Sequence, residues 1–124
     1  MAKSSLFGWS ATLLFLLACS KNAEVAEFVK ENDALVGELG RASSADQARQ
    51  LFDGKKAALL ARLSPIKDAR GFQVNQASQE ALGKSLMDGA TAVCGLQLKA
   101  LGNQADSEKY KALCDDYGKL LTME

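Results

Sequence analysis

The sequence predicts an all-α fold, a small four-helix bundle preceded by an N-terminal leader. Apolar residues recur at spacings of three and four along most of the chain, as they do on one face of a helix. β-branched residues are few, and no long run alternates apolar and polar residues as a half-buried strand would. Pro65 is the one proline among 124 residues, so little interrupts helix formation.

The first helix is predicted over residues 23–39. Its apolar face consists of Val25, Phe28, Val29, Asn32, Val36 and Leu39. Gly40 follows the last of these positions, and glycine is common just beyond a helix C-terminus. We therefore expect the first helix to end at Gly40.

The second helix is predicted to begin at Ser44, which fits a capping box with Gln47. Its apolar face consists of Ala48, Leu51, Phe52, Ala58, Leu59 and Leu63. We expect Pro65 to end this helix, because the residue before a proline disfavours helical geometry.

Residues 66–74 are expected to form a connection, with Phe72 and Val74 packed beneath it. The third helix then starts at Asn75 or Ser78 and continues to Leu101, with Gly102 just beyond its C-terminus. Its apolar side is predicted to contain Leu82, Leu86, Ala90, Val93, Leu96 or Leu98, and Leu101.

The fourth helix has the most regular pattern of the four. Its apolar face consists of Tyr110, Leu113, Cys114, Tyr117, Leu120 and Leu121. Either Asn103 or Asp106 is expected to cap its N-terminus.

Cys94 and Cys114 are predicted to form a disulfide between the third and fourth helices. A hairpin that turns near Gln104 places each cysteine ten residues from the turn, and therefore at the same height. Such a bridge would stabilise the fold by roughly 3 kcal/mol in the chain-entropy model. Two free buried thiols are the alternative.

The N-terminal leader carries a short apolar segment that ends in Leu16-Leu17-Ala18-Cys19. The segment is shorter than the roughly 20 residues that a membrane-spanning helix requires. The four residues resemble the lipobox of bacterial lipoprotein signal peptides. An ordinary secretory signal and an uncleaved membrane anchor are the alternatives.

The lipobox resemblance implies a signal peptide over residues 1–18 and a single helical domain over residues 19–124. Cys19 would carry a diacylglyceryl group and usually a third chain on its amine, with palmitate among the acyl chains. Ser20 stands where aspartate retains proteobacterial lipoproteins in the inner membrane, which implies the outer membrane, on its periplasmic or its surface side. After export, Cys94 and Cys114 would meet an oxidising compartment that favours their disulfide.

No catalytic, cofactor-binding or metal-binding residue is predicted. The chain has no histidine, which removes the commonest general base and a common metal ligand. Three polar groups of residues were weighed as sites and are interpreted as a helix cap or as solvated surface: Ser43-Ser44, Asp115-Asp116, and the set Glu24, Glu27 and Glu31.

The charge balance argues against nucleic acid as a partner. Lys3 is the one charged residue of the leader, so the mature chain keeps 14 of the 15 basic side chains and all 15 acidic ones. A near-neutral chain without a basic face creates no field that would attract nucleic acid.

The leading hypothesis is a non-catalytic envelope protein that binds another envelope protein, as assembly, pilot or exclusion factors do. Type II secretion pilotins are similar in general layout, though no motif is shared, and this layout implies an exposed apolar groove. One alternative is a carrier of a small apolar ligand, with Ala81, Ala90 and Ala92 lining a cavity in the bundle core. Another is a structural surface lipoprotein.

Overall fold

The structure is a computed structural model that describes residues 20–67 and 73–122, apart from the side chain of Leu121. These residues form α1 (Asn22–Arg41), α2 (Ala45–Lys67), α3 (Gln76–Gly95), the 3₁₀ helix η1 (Leu96–Ala100) and α4 (Gln104–Thr122). No strand occurs among them. The predicted all-α class and the four-helix bundle are confirmed.

The four helices form a bundle in which chain neighbours are not always spatial neighbours. Helix α1 packs against α2 and α3, whereas α4 packs against α3 and α2. The backbone N–H of Lys21 donates to the carbonyl of Gln73 at 2.7 Å, so the starts of α1 and α3 lie together and the two helices run parallel. Helices α2 and α3, consecutive in the chain, therefore occupy opposite corners of the bundle.

All four helices contribute side chains to one hydrophobic core. Its largest fully buried members are Phe28, Leu35 and Leu39 of α1, Phe52, Leu59 and Leu63 of α2, and Leu113, Tyr117 and Leu120 of α4. Burial of each such side chain contributes about 1.5–3 kcal/mol to folding. The predicted faces are confirmed in outline, but Leu35 joins the core of α1, while Val29 and Val36 are only partly buried.

Two predicted helix ends are wrong. Helix α1 continues through Gly40 to Arg41 and leaves helical geometry at Ala42, whose extended backbone needs no left-handed residue. Helix α2 contains Pro65 and continues to Lys67. Proline removes one backbone hydrogen bond near the helix end, and the two further residues bury Ile66, which is 7% exposed.

Side-chain caps start three of the helices. Ser44 Oγ accepts from the N–H of Gln47, as the capping box predicts, but the Gln47 amide oxygen accepts from the N–H of Ser43 rather than that of Ser44. Asn75 Oδ1 accepts from the N–H of Ser78 at 2.7 Å and caps α3. Asn103 Oδ1 accepts from the N–H of Asp106 at 3.2 Å, so Asn103 caps α4.

The predicted third helix changes geometry before its end. The α-helix stops at Gly95, and η1 follows with about 120° of turn per residue in place of about 100°. Leu96 and Ala100 are buried, whereas Leu98 and Leu101 are exposed, so the prediction that Leu101 lies on the apolar side is wrong. Gly102 has φ +89°, which confirms its expected place beyond the helix end.

The predicted connection is confirmed only in part. Val74 is buried, as expected. Phe72 and Leu121 are predicted core residues that fall outside the side chains described, and so does the Cys19 lipidation site.

Candidate partner-binding surface

The outer side of α3 and η1 exposes apolar side chains. Met87 is 64% exposed, Leu98 is 70% exposed and Leu101 is 79% exposed. Met87 lies two residues before the buried Gly89, about 200° around α3, and Leu98 lies two residues after the buried Leu96, about 240° around η1. The exposed residues of this side, hereafter the outer α3 strip, are Met87, Thr91, Ala92, Cys94, Gly95, Leu98 and Leu101.

The outer α3 strip contains no charged residue, although the exposed side chains of Lys84 and Asp88 lie beside Met87. The ten residues from Gly89 to Leu98 include no charged side chain, in a chain of which 24% is charged. The charges that flank this segment have partners: Lys84 pairs with Asp88 within α3, and the Lys99 ammonium donates to the carbonyl of Gly40. A partner that covers the strip would therefore desolvate few unpaired charges.

The Cys94–Cys114 disulfide fixes the outer α3 strip to α4 and confirms the predicted bridge. The two Cα atoms are 4.7 Å apart, and the bond closes a separation of 20 residues. Cys94 is exposed and Cys114 is half-buried, so the bridge lies at the edge of the strip and not in the core. The crosslink restrains the C-terminal part of α3, and Leu98 and Leu101 follow shortly after it in the chain.

A buried polar cluster fixes α3 against α1 and α4. Asn32, with no exposed surface, donates to Ser85 Oγ at 2.9 Å and accepts from the Tyr117 hydroxyl at 2.7 Å. Ser85 in turn donates to Asp33 at 2.7 Å. Burial raises the pKa of the Tyr117 phenol. The hydrogen bond to Asn32 acts to lower this pKa, and the negative charge of Asp33 acts to raise it further. The periodicity of the sequence places Asn32 on the apolar face of the first helix. A polar residue at a predicted core position was the signal from which the buried cluster could have been predicted.

Gly89 allows the close approach of Tyr117 that the cluster requires. A Cβ atom at position 89 would lie 2.0 Å from the Tyr117 hydroxyl oxygen and 2.9 Å from its ring carbon Cζ. The absence of a side chain at this position therefore sets how closely α3 packs on α4.

Three residues from the polar groups considered as catalytic or metal sites have clear structural partners. Ser44 caps α2, and Glu31 pairs with Arg62 at 2.9 Å. Asp116 pairs with Arg49 at 2.7 Å, and the hydrogen bond from this guanidinium lowers the pKa of the carboxyl group. Across residues 20–67 and 73–122, no cluster of three or more acidic, cysteine or histidine side chains could hold a metal ion.

Two open grooves flank α1 near its start. The groove between α1 and α3 has a volume of about 400 Å³ and is lined mainly by Val25, Ala26, Val29, Ala77, Ser78 and Ala81. The groove between α1 and α2 measures about 350 Å³, and Glu24 and Pro65 line it. Glu24 Oε2 is buried with no hydrogen-bond partner in the described part of the chain.

The small residues proposed for an internal cavity do not share one. Ala81 is exposed and lines the α1–α3 groove, and Ala92 is exposed on the outer α3 strip. Ala90 is half-buried and packs against the core. The two open grooves described above flank α1, and the exposed apolar side chains Met87, Leu98 and Leu101 line neither of them.

Comparison of this chain with known protein families, with curated proteins and with solved structures yields no match. Among the helices that the structure describes, none combines the length and the apolar character needed to cross a bilayer. The case for a function therefore depends on the lipobox resemblance and on the geometry of the bundle.

Proposed function

We propose that this chain is a lipid-anchored protein of the bacterial outer membrane that binds another envelope protein through the outer α3 strip. Residues 1–18 act as the signal peptide, and Cys19 carries the acyl chains, palmitate among them. The role is that of an assembly, pilot or exclusion factor, and it involves no catalysis.

The exposure of Met87, Leu98 and Leu101 is the observation that carries this proposal. Single exposed apolar residues are common on protein surfaces, but Met87 in α3, Leu98 in η1 and Leu101 just beyond it follow one another along one side, and the segment from Gly89 to Leu98 carries no charge. An apolar helix side with flanking polar residues suits the docking of an amphipathic segment from a partner. The disulfide and the Asn32 cluster support the proposal because they hold the strip in one conformation before binding, which lowers the entropy cost of association.

Site-specific photo-crosslinking in intact cells tests the proposal. A benzophenone amino acid replaces Leu98 on the outer α3 strip, and the matched control replaces Ala57, which is exposed on α2 at the opposite corner of the bundle. We expect one dominant adduct with an envelope protein from position 98 and none from position 57. Equal adducts from both positions, or none from position 98, would contradict a binding role for the strip.

A second candidate function is a carrier of a small apolar ligand. The groove between α1 and α3 favours it, because valine and alanine side chains line a volume of about 400 Å³. Native mass spectrometry of protein purified from its own membrane tests this function. A bound small molecule that is lost in a Val29→Asp variant would support the carrier, whereas a mass that Cys19 acylation fully accounts for would reject it.

A further inference from the structure

The bundle has two distinct ends, and the chain enters at one of them. The starts of α1 and α3 lie at this end, since Lys21 bonds to Gln73 and the N–H of Asn75 donates to Asn22 Oδ1 at 2.9 Å. Helix α2 is antiparallel to α1 across a short turn, and α4 is antiparallel to α3, so the C-termini of α2 and α4 lie here too. We call it the entry end.

The opposite end carries the two turns and part of the outer α3 strip. The contact between Lys99 and the carbonyl of Gly40 joins η1 to the C-terminal turn of α1 there. Helix α1 has 20 residues, so about 30 Å separate the two ends at about 1.5 Å per residue. Leu98 and Leu101 lie at this far end.

The chain between Cys19 and the bundle is too short to act as a flexible linker. Ser20 and Lys21 are the only residues between Cys19 and the start of α1. The N–H of Asn22 donates to Ser20 Oγ at 3.3 Å, and Lys21 is fixed to Gln73, so both residues are held against the bundle. Even a fully extended chain from position 19 to position 22 spans only about 10 Å.

From this geometry we infer that the entry end rests on the lipid headgroups and that Leu98 and Leu101 stand about 30 Å from them. The inference depends on the proposed acylation of Cys19, because acyl chains within the bilayer place residue 19 at the membrane surface. Lys21 and Asn22, which follow the proposed anchor, bond to Gln73 and Asn75 at the start of α3, so the chain leaves from the end of the bundle and not from one side. The upright bundle keeps the charged outer side chains of its helices in water.

The orientation also defines the kind of partner that the outer α3 strip can meet. A partner segment that lies within the bilayer or at the headgroups cannot reach Leu98 or Leu101. The segment must belong to a domain that projects about 30 Å from the membrane surface. A bundle lying on its side would instead press the apolar strip onto the lipid, and this is the arrangement to be excluded.

Tryptophan quenching by brominated phospholipids measures these heights. Trp9 is the only tryptophan of the chain and lies in the leader, so a tryptophan introduced into the mature protein is the only one that reports. Three single-tryptophan variants of the acylated protein are reconstituted into phosphatidylethanolamine–phosphatidylglycerol vesicles: Ala23→Trp at the entry end, Met87→Trp midway and Leu98→Trp at the far end. All three positions are exposed, so the fold should accept the indole ring. We expect at least fivefold stronger quenching at position 23 than at position 98, with position 87 close to 98.

Two other results would overturn the inference, and they can be told apart. Equal, strong quenching at positions 87 and 98 would show that the strip lies on the bilayer. Failure of the protein to float with the vesicles would remove the lipid anchor itself, and with it that part of the proposed function. Circular dichroism and a free-thiol assay confirm that each variant keeps its helices and its disulfide.

Discussion

Asn32 shows how a single polar residue in the core specifies which helices pack together. Its side-chain amide bonds to Ser85 on α3 and to Tyr117 on α4, so three helices meet at one fully buried group. A net gain of about 0.5–1.5 kcal/mol per bond is modest, but an unpaired buried partner costs about 1–3 kcal/mol. Other arrangements of α1, α3 and α4 would incur this cost, which favours the observed register.

Gly89→Ala is predicted to destabilise the protein by about 1–3 kcal/mol, as overpacked core substitutions do. The new methyl group would overlap the Tyr117 hydroxyl, which is fully buried and held by Asn32 and so has little room to move. Gly83→Ala on the same helix is the control. Nothing lies within 4 Å of its Cβ position, and alanine there should stabilise by up to about 1 kcal/mol. Urea denaturation of both variants gives the two values, and equal stabilities would contradict the close-packing argument.

The Arg49–Asp116 ion pair is predicted to contribute less than about 1 kcal/mol, because both side chains remain partly exposed. The hydrogen bond from Arg49 lowers the pKa of Asp116 below its ordinary value, while partial burial opposes the change. As the pH falls, the carboxyl group of Asp116 is therefore protonated in the unfolded chain before it is protonated in the folded protein. The stabilisation by the ion pair is present at neutral pH and is lost as the pH falls below about 4.

Asp116→Asn tests this pH dependence. Urea denaturation from pH 7 to pH 2 should show a constant deficit in the free energy of unfolding above about pH 5 that disappears in acid. Asp115→Asn, which removes a neighbouring exposed carboxylate, should keep the acid-dependent loss seen in the wild-type protein. A deficit that persists unchanged at pH 2 would contradict the ion-pair explanation.

At the scale of helices, the sequence predicted faces better than ends. The periodicity identified Phe28, Phe52 and Tyr117 as core residues because burial of apolar surface is the largest local term. The ends at Gly40 and Pro65 were missed because intrinsic preferences of about 1–3 kcal/mol are overridden by packing elsewhere, such as the burial of Ile66.

The outer α3 strip was only partly predictable for a related reason. Periodicity marks that a residue is apolar, and α3 has apolar residues on two sides, so the sequence did not separate Leu96 from Leu98. The buried positions Gly89, Val93, Leu96 and Ala100 follow spacings of four, three and four, which leaves Leu98 on the opposite side. The disulfide was predictable because the antiparallel register of a hairpin follows from chain length alone.

Removal of the crosslink in Cys94→Ala/Cys114→Ala is predicted to lower the free energy of unfolding by roughly 3 kcal/mol. Cys94 is exposed and Cys114 half-buried, so loss of the sulfur atoms opens little core volume and the crosslink accounts for most of the effect. Urea denaturation with and without a thiol reductant gives the comparison. The reductant should lower the stability of the wild-type protein to that of the variant and leave the variant unchanged; an effect on the variant would point to another cause.

At the scale of the whole molecule, the proposed anchor lies at one end of the bundle, and Leu98 and Leu101 of the proposed binding surface lie at the other. Residues 20–67 and 73–122 supply the core, the caps and the disulfide. In the proposed function the acyl chains set where the bundle is, whereas the outer α3 strip sets what it binds. Confinement to a membrane surface raises the local concentration of a partner in the same membrane without any new contact.

Cys19→Ala is therefore predicted to abolish acylation and membrane fractionation while the melting temperature of the mature domain stays unchanged. In cells, the photo-adduct from position 98 should fall by tenfold or more, because effective concentrations in linked systems reach the millimolar range.

With purified components, the Kd of the Cys19→Ala domain for the soluble domain of that partner should match the Kd of the acylated protein in detergent. Leu98→Asp in the acylated protein should behave in the opposite way, with normal membrane fractionation and a Kd weakened by tenfold or more. If Cys19→Ala weakened the purified interaction as much as Leu98→Asp does, the acylated N-terminus would belong to the binding site. The proposed separation of anchor and binding surface would then be wrong.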